Sequence, residues 1–194
     1  FEGLCHMFID ESADEQMALD LIVNAKTHRT GVCNAMETLL IHKSKLPTLA
    51  PKIAKRLQDK GTELRVDENF RLASGLDLIT AKESDWSTEY LDNILSIKSV
   101  SDLDEAIEHI DRYGTNHTEA IVSEDKKNVD KFFQIVDASC LMHNASTRFN
   151  DGGELGLGAE LGISTTKIHA YGPMGAEEMT SSRFIVLGNG QVRS

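Results

Sequence analysis

Apolar positions along the chain follow two alternating periods. Short runs with strand character stand at residues 4–10, 37–42, 63–66, 94–100, 120–123 and 139–144. Between them, apolar residues recur at helical spacing. Residues 14–27 place Met17, Leu21, Ile22 and Ala25 on one helical face, and residues 47–60 do the same with Ile53, Ala54 and Leu57 before Gly61 stops the pattern. Two more helices are predicted over 102–113 and 126–136. Ser101 with Asp104 resembles a capping box at the start of the first. Gly114 stands where a helix C-terminus favours a residue without a Cβ. Residues 67–93 show no clear period and are expected to be irregular.

Repeated strand–helix–strand units predict an α/β domain built on a mainly parallel sheet. Right-handed crossovers would place helices on both faces. From Asp151 the composition changes, with glycines at 152, 153, 156, 158 and 162, then at 172 and 175, as in a loop-rich region with close backbone approaches. Residues 183–187 (RFIVL) predict a short last strand, which is expected to pair with something outside the domain.

Composition narrows the function. The chain has 194 residues, enough for one domain with a sizeable core. Its net charge of −11 argues against nucleic acid and against an anionic membrane surface, both of which need clustered Lys and Arg. A local cationic cluster can still receive an anionic substrate. No apolar run reaches the roughly 18 residues of a membrane span, and no signal peptide is visible. The chain opens on Phe1-Glu2-Gly3 and runs almost at once into an apolar segment, which is expected of a piece of a longer protein. The three cysteines, Cys5, Cys33 and Cys140, show no metal-ligand spacing and suit free thiols in a reducing cytoplasm.

Candidate chemistry centres on Cys33, in Gly31-Val32-Cys33-Asn34-Ala35-Met36, between a predicted helix and a predicted strand. Connections at one end of a sheet are where α/β folds collect functional groups. By spacing alone, Cys33 also reads as a buried structural cysteine. Cys5 and Cys140, inside strands, read as core. Ser146, Thr147 and Arg148 form a compact hydroxyl and cationic cluster, and an Arg can bind carboxylate or phosphate in a bidentate way or simply form a surface ion pair. His28-Arg29, just before Cys33, could raise the local potential and favour a thiolate. His109 reads as structural or half-exposed, while His117, past Gly114, reads as nearer a cleft.

The segment from Val100 to Ile121 resembles the signature of gamma-glutamyl phosphate reductases, a family of the aldehyde dehydrogenase superfamily, through Ala106, Ile107, His109, Ile110, Gly114, Thr115, His117, Thr118 and Ile121. Three further blocks are similar to that family in the same order. They are Asn24 to Arg29 with Cys33 to Leu40, Asn144 to Phe149 with Gly156 to Glu160, and His169 with Gly172-Pro173-Met174-Gly175.

The resemblance implies an aldehyde-dehydrogenase-like catalytic domain over residues 1–178 and a β arm for oligomerisation over 179–194, with the nucleotide-binding domain outside this chain. It implies reduction of L-glutamate 5-phosphate to glutamate 5-semialdehyde in proline biosynthesis, in the cytoplasm, by a homo-oligomer. Cys33 would be the nucleophile and NADPH the reductant, bound mainly by the missing domain. Glu89 falls where the superfamily places a carboxylate for a cofactor ribose, and also reads as a solvated surface residue. Asn34, Ser146, Thr147 and Arg148 fall in regions that would touch substrate. No metal and no water-activating base are expected, Glu2 being the only carboxylate near the relevant stretch and out of register. Two other readings stay open: another thiol-dependent aldehyde dehydrogenase, and a non-catalytic assembly domain.

Overall fold

The computed structural model describes residues 3–194. Seven parallel strands form one sheet: β1 (Cys5–Ile9), β2 (Met36–His42), β3 (Glu63–Val66), β4 (Ile79–Thr80), β5 (Ile94–Val100), β6 (Thr118–Val122) and β7 (Cys140–His143). They lie in the order β4-β3-β5-β2-β1-β6-β7, so β1 is flanked by β2 and β6 deep in the sheet. Period-two alternation divides the core. Met7 and Ile9 of β1 join one apolar cluster with α1 (Glu15–Thr27), α2 (Leu46–Gln58) and α3 (Glu68–Ser74). Phe8 joins the other, under α4 (Leu103–Tyr113) and α5 (Lys126–Ile135). Each central strand is covered on both faces, which is why these runs read as nearly continuous apolar stretches.

Local chemistry differs from expectation in several places. The stretch 67–93 contains α3, the two-residue β4 and a 3-10 turn over Glu83–Ser87. Helix α4 is capped by Asp102, whose carboxylate accepts from the Glu105 amide, and not by Ser101 with Asp104. Gly114 has φ −67°, so it is no left-handed cap. What excludes a side chain there is space: a Cβ would stand 2.6 Å from the Ile110 carbonyl oxygen and 3.1 Å from Glu119 Oε1. Cys140 is half-buried instead of core. A hairpin of β8 (Gly162–Ser164) and β9 (Gly172–Met174) was not anticipated. Among the described residues, 183–187 pair with no strand, and Phe184 is 101% exposed.

Past β7 the chain reverses at Asn144, which takes a left-handed φ of 49°. The next residues run back over the sheet, and the 3-10 turn Thr147–Phe149 packs against α1, β1 and β6. This return brings residues 147–150 to the end of the sheet where the strands begin.

A buried ion pair fixes the α1–β2 connection. Lys26 in the last turn of α1 reaches Glu37 on β2 at 2.8 Å, both fully buried. Burial pushes the Glu37 carboxyl up to about 7, against the pull of Lys26. Because the folded value lies above the ordinary 4.5, Glu37 adds stability fully below that pH and loses it as pH rises through about 7. Denaturant titrations across this window are expected to show the decline in the parent and to lose it in Lys26→Met/Glu37→Gln. Lys26→Met alone is expected to cost less than the about 3–5 kcal/mol of a stranded buried charge, because Glu37 can take up a proton.

Candidate functional site at the amino end of the sheet

Cys33 lies in the turn between α1 and β2, at the end of the sheet where the strands begin, and its residue is exposed. Directly beneath it is Gly3, two residues before β1. A Cβ on Gly3 would stand 2.5 Å from the Cys33 carbonyl oxygen, 2.6 Å from its Cβ and 2.8 Å from its Cα. Only a residue without a side chain lets the two backbones lie this close. The Gly3 amide donates to Glu89 Oε1 at 2.9 Å, which brings a half-buried carboxylate to the same spot.

The turn is held from the return segment. Thr147 Oγ1 donates to the Asn34 carbonyl at 2.8 Å, and Asn34 Nδ2 donates to the Asn150 carbonyl at 3.0 Å. A cavity of about 380 Å³ adjoins these residues, lined in part by Asn24, His28, Ser146, Arg148 and Phe149. Arg148 Nε donates to His28 Nδ1 at 3.4 Å. Burial pulls Arg148 down from its ordinary value, yet a guanidinium stays charged in a protein.

Electrostatics at Cys33 run against the expected thiolate. Its pKa lies above the ordinary 9.0, chiefly from burial of the sulfur environment and then from the negative charge of Glu160, with Glu89 adding to both. A backbone amide and Arg148 pull the other way and lose. His28 and Arg29 are not among the causes, and His28 is occupied as the acceptor for Arg148. Glu160 spends Oε2 on the Gly152 amide at 2.8 Å. The glycine-rich stretch thus brings a carboxylate to the thiol, and Gly152 is required where a Cβ would meet the Ala159 carbonyl oxygen at 2.8 Å.

The expected site residues therefore divide. Glu89 and Arg148 lie within electrostatic reach of Cys33, and Arg148 also lines the cavity. Ser146 lines the cavity, though it is buried and caps the following turn through the Arg148 amide. Asn34 and Thr147 are buried, with their hydrogen bonds directed to backbone. His117 is buried and does not line the cavity, and His109 is buried against Trp86 and Tyr113. Glu2 lies outside the described residues. Sequence reasoning missed Gly3 and Asn150, and gave Glu160 no role beyond its place in a block similar to the family. A glycine immediately before an apolar strand was the one local signal for Gly3. Among the described residues no group of three or more His, Cys, Asp or Glu side chains could hold a metal ion.

The fold is that of aldehyde dehydrogenase-like α/β proteins. An acetylating aldehyde dehydrogenase from Geobacillus thermoglucosidasius superposes with a TM-score of 0.74 at 19% identity, over 100% of this chain and 52% of that one. Within the class, the likeness is to gamma-glutamyl phosphate reductases. The enzyme of that name from Thermotoga maritima superposes with a TM-score of 0.96 at 48% identity, over 100% of this chain and 47% of its own. Curated gamma-glutamyl phosphate reductases of Bacillus cereus and Geotalea daltonii are 52% and 53% identical over 191 and 194 residues. The chain spans about half the length of these relatives, 46% in both cases. No family model matches. In sequence and fold the chain is similar to about half the length of these gamma-glutamyl phosphate reductases.

Exposure orders the three thiols. Iodoacetamide is expected to label Cys33 first, Cys140 more slowly, and Cys5 only on unfolding, as read by peptide mass. The Cys33 rate should rise about tenfold per pH unit below its pKa, and Glu160→Gln should raise it at neutral pH by removing a repelling charge.

Proposed function

We propose that this chain supplies the nucleophile and part of the substrate pocket of an enzyme that reduces L-glutamate 5-phosphate to L-glutamate 5-semialdehyde in proline biosynthesis, in the cytoplasm. The observation that carries the reading is Cys33 itself: an exposed thiol on a backbone fixed from below by Gly3 and from the side by Thr147 and Asn150, in a chain half-identical to proteins of that name.

Cys33 sulfur attacks the acyl carbon and phosphate leaves, which creates a thioester. A thiolate suits the step because it is a strong nucleophile and a competent leaving group. In this reading the Cys33 backbone N–H donates to the oxyanion. Arg148, beside His28, offers an anionic group of the substrate the guanidinium nitrogens that make no hydrogen bond among the described residues, and so draws an acidic ligand to an acidic chain. Ser146, Thr147 and Asn34 serve that pocket chiefly by holding its walls.

Half-buried Glu89 fits a ligand rich in hydroxyl donors: among the described residues its Oε2 makes no hydrogen bond, and it stands close enough to Cys33 to raise its pKa. That suits the ribose of NADPH, which supplies the hydride that converts the thioester to the semialdehyde. We place the rest of the NADPH site in the half of the relatives' length that this chain does not span. Residues 179–194 we assign to an arm that joins a second copy. The support is a run of exposed apolar side chains, Phe184, Ile185, Val186 and Leu187, that pairs with no strand among the described residues.

In the full-length protein, NADPH formation from glutamate 5-semialdehyde and NADP is expected to require phosphate and to disappear in Cys33→Ala. Arg148→Gln should raise the KM for phosphate or for the semialdehyde by about 10-fold, with kcat less affected. Turnover without phosphate would indicate instead a hydrolytic thiol dehydrogenase, with Glu160 or Glu89 as its base. Deleting residues 183–187 should lower the assembly's mass in light scattering.

A further inference from the structure

We propose that Cys5 is a positioning residue for Cys33, holding the nucleophile through a closed ring of buried groups that includes His117 and Thr118 of the signature segment. The proposal rests on the reading of Cys33 as nucleophile.

Cys5 is fully buried in β1. A buried cysteine is ordinarily a small hydrophobe, but this one has a specific acceptor. Its Sγ lies 3.1 Å from the Cys33 carbonyl oxygen, close for a sulfur donor. Burial raises its pKa well above the ordinary value, so the sulfur keeps the proton it donates. From Cys5 the contacts run on to His117 Nδ1 at 3.6 Å and from His117 to Thr118 Oγ1 at 2.7 Å. Asn150 Nδ2 donates to Thr118 Oγ1 at 2.7 Å, and the Asn150 carbonyl accepts from Asn34 Nδ2 at 3.0 Å. Asn34 follows Cys33 in the chain, so the ring closes beneath the nucleophile. Burial holds His117 down at about 4, so this member is neutral at physiological pH and brings no charge under the thiol.

The rest of the signature segment grips the same strand. Thr115 Oγ1 accepts from the Leu4 amide at 2.9 Å, and Glu119 Oε2 accepts from the His6 amide at 2.9 Å and meets its ring at 3.0 Å. Thr115, His117 and Glu119 thus take hold of Leu4, Cys5 and His6 in turn. None of these side chains lines the cavity. Their common effect is to set the start of β1, and through Gly3 and Cys5 the backbone of Cys33. A segment that carries so much of the family's signature without reaching the cavity is accounted for by this role.

The test uses the full-length protein and steady-state kinetics of the phosphate-dependent reaction, with thermal melting as a folding control. Cys5→Ala removes the donor, Cys5→Ser restores an O–H, and Thr118→Val opens the ring at its member on β6. Cys5→Ala and Thr118→Val are expected to lower kcat about 10- to 100-fold, the scale of a nucleophile displaced by a fraction of an ångström to one ångström. KM should stay within about threefold, because no contact with substrate is lost. Cys5→Ser should recover most of kcat. A folded Cys5→Ala with kcat within about twofold of the parent would overturn the proposal, as would a Cys5→Ser no better than Cys5→Ala. Should Cys5→Ala fail to fold, Thr118→Val decides alone by the same criterion. Unimpaired turnover in Cys33→Ala would instead remove the nucleophile on which the proposal rests.

Discussion

Gly3 has no side chain, and the backbone of Cys33 fills the space where one would stand. That single close approach ties the exposed turn to the start of β1, which lies between β2 and β6 with helices on both faces. A turn carried on a surface loop would drift. This one rests on the most enclosed part of the sheet, and a methyl group at Gly3 would force backbone against backbone. The architecture makes the turn's position a property of the core, which the proposed attack of Cys33 on an acyl carbon would require.

Charge completes what sterics begin. Lys26 and Glu37 flank the turn, one closing α1 and the other opening into β2, and their buried contact spans it like a strut. Glu37 also accepts from the Leu91 amide at 3.3 Å, which brings the segment bearing Glu89 alongside. The thiol itself sits between opposing influences: Glu160 and Glu89 raise its pKa, and Arg148 lowers it. In the proposed reaction this thiol would be mostly protonated at rest, near a cation that could receive an anionic substrate. Its intrinsic nucleophilicity is high once ionised, because nucleophilicity rises with thiol pKa.

Much of the frame was legible in the sequence because periodicity is local. The six strands expected from apolar runs are all present, and four of the helices follow from amphipathic spacing. Helix α3 escaped because seven residues with only Phe70 and Ser74 buried leave too little pattern to detect. The run 183–187 has strand composition, but a strand exists only with a partner, and the described chain offers none. The position of Cys33 in a helix-to-strand turn could be read directly. What supports it could not, because the bonds join Gly3 to Glu89, Leu4 to Thr115 and Asn34 to Asn150, residues about ninety to more than a hundred positions apart. The resemblance drew attention to Cys33 and to His117, and the structure shows His117 buried, with its ring nitrogen against Cys5 and Thr118.

The central claim is that Cys33 takes the acyl group before any reduction occurs. The most direct measurement gives the full-length protein L-glutamate 5-phosphate, generated in place, with no reductant, then follows phosphate release and the mass of the Cys33 peptide after an acid quench. The account predicts a burst of phosphate matching the number of active sites and a glutamyl group on Cys33, both absent in Cys33→Ala. Phosphate release that waits for NADPH, with the Cys33 peptide unmodified throughout turnover, would contradict it.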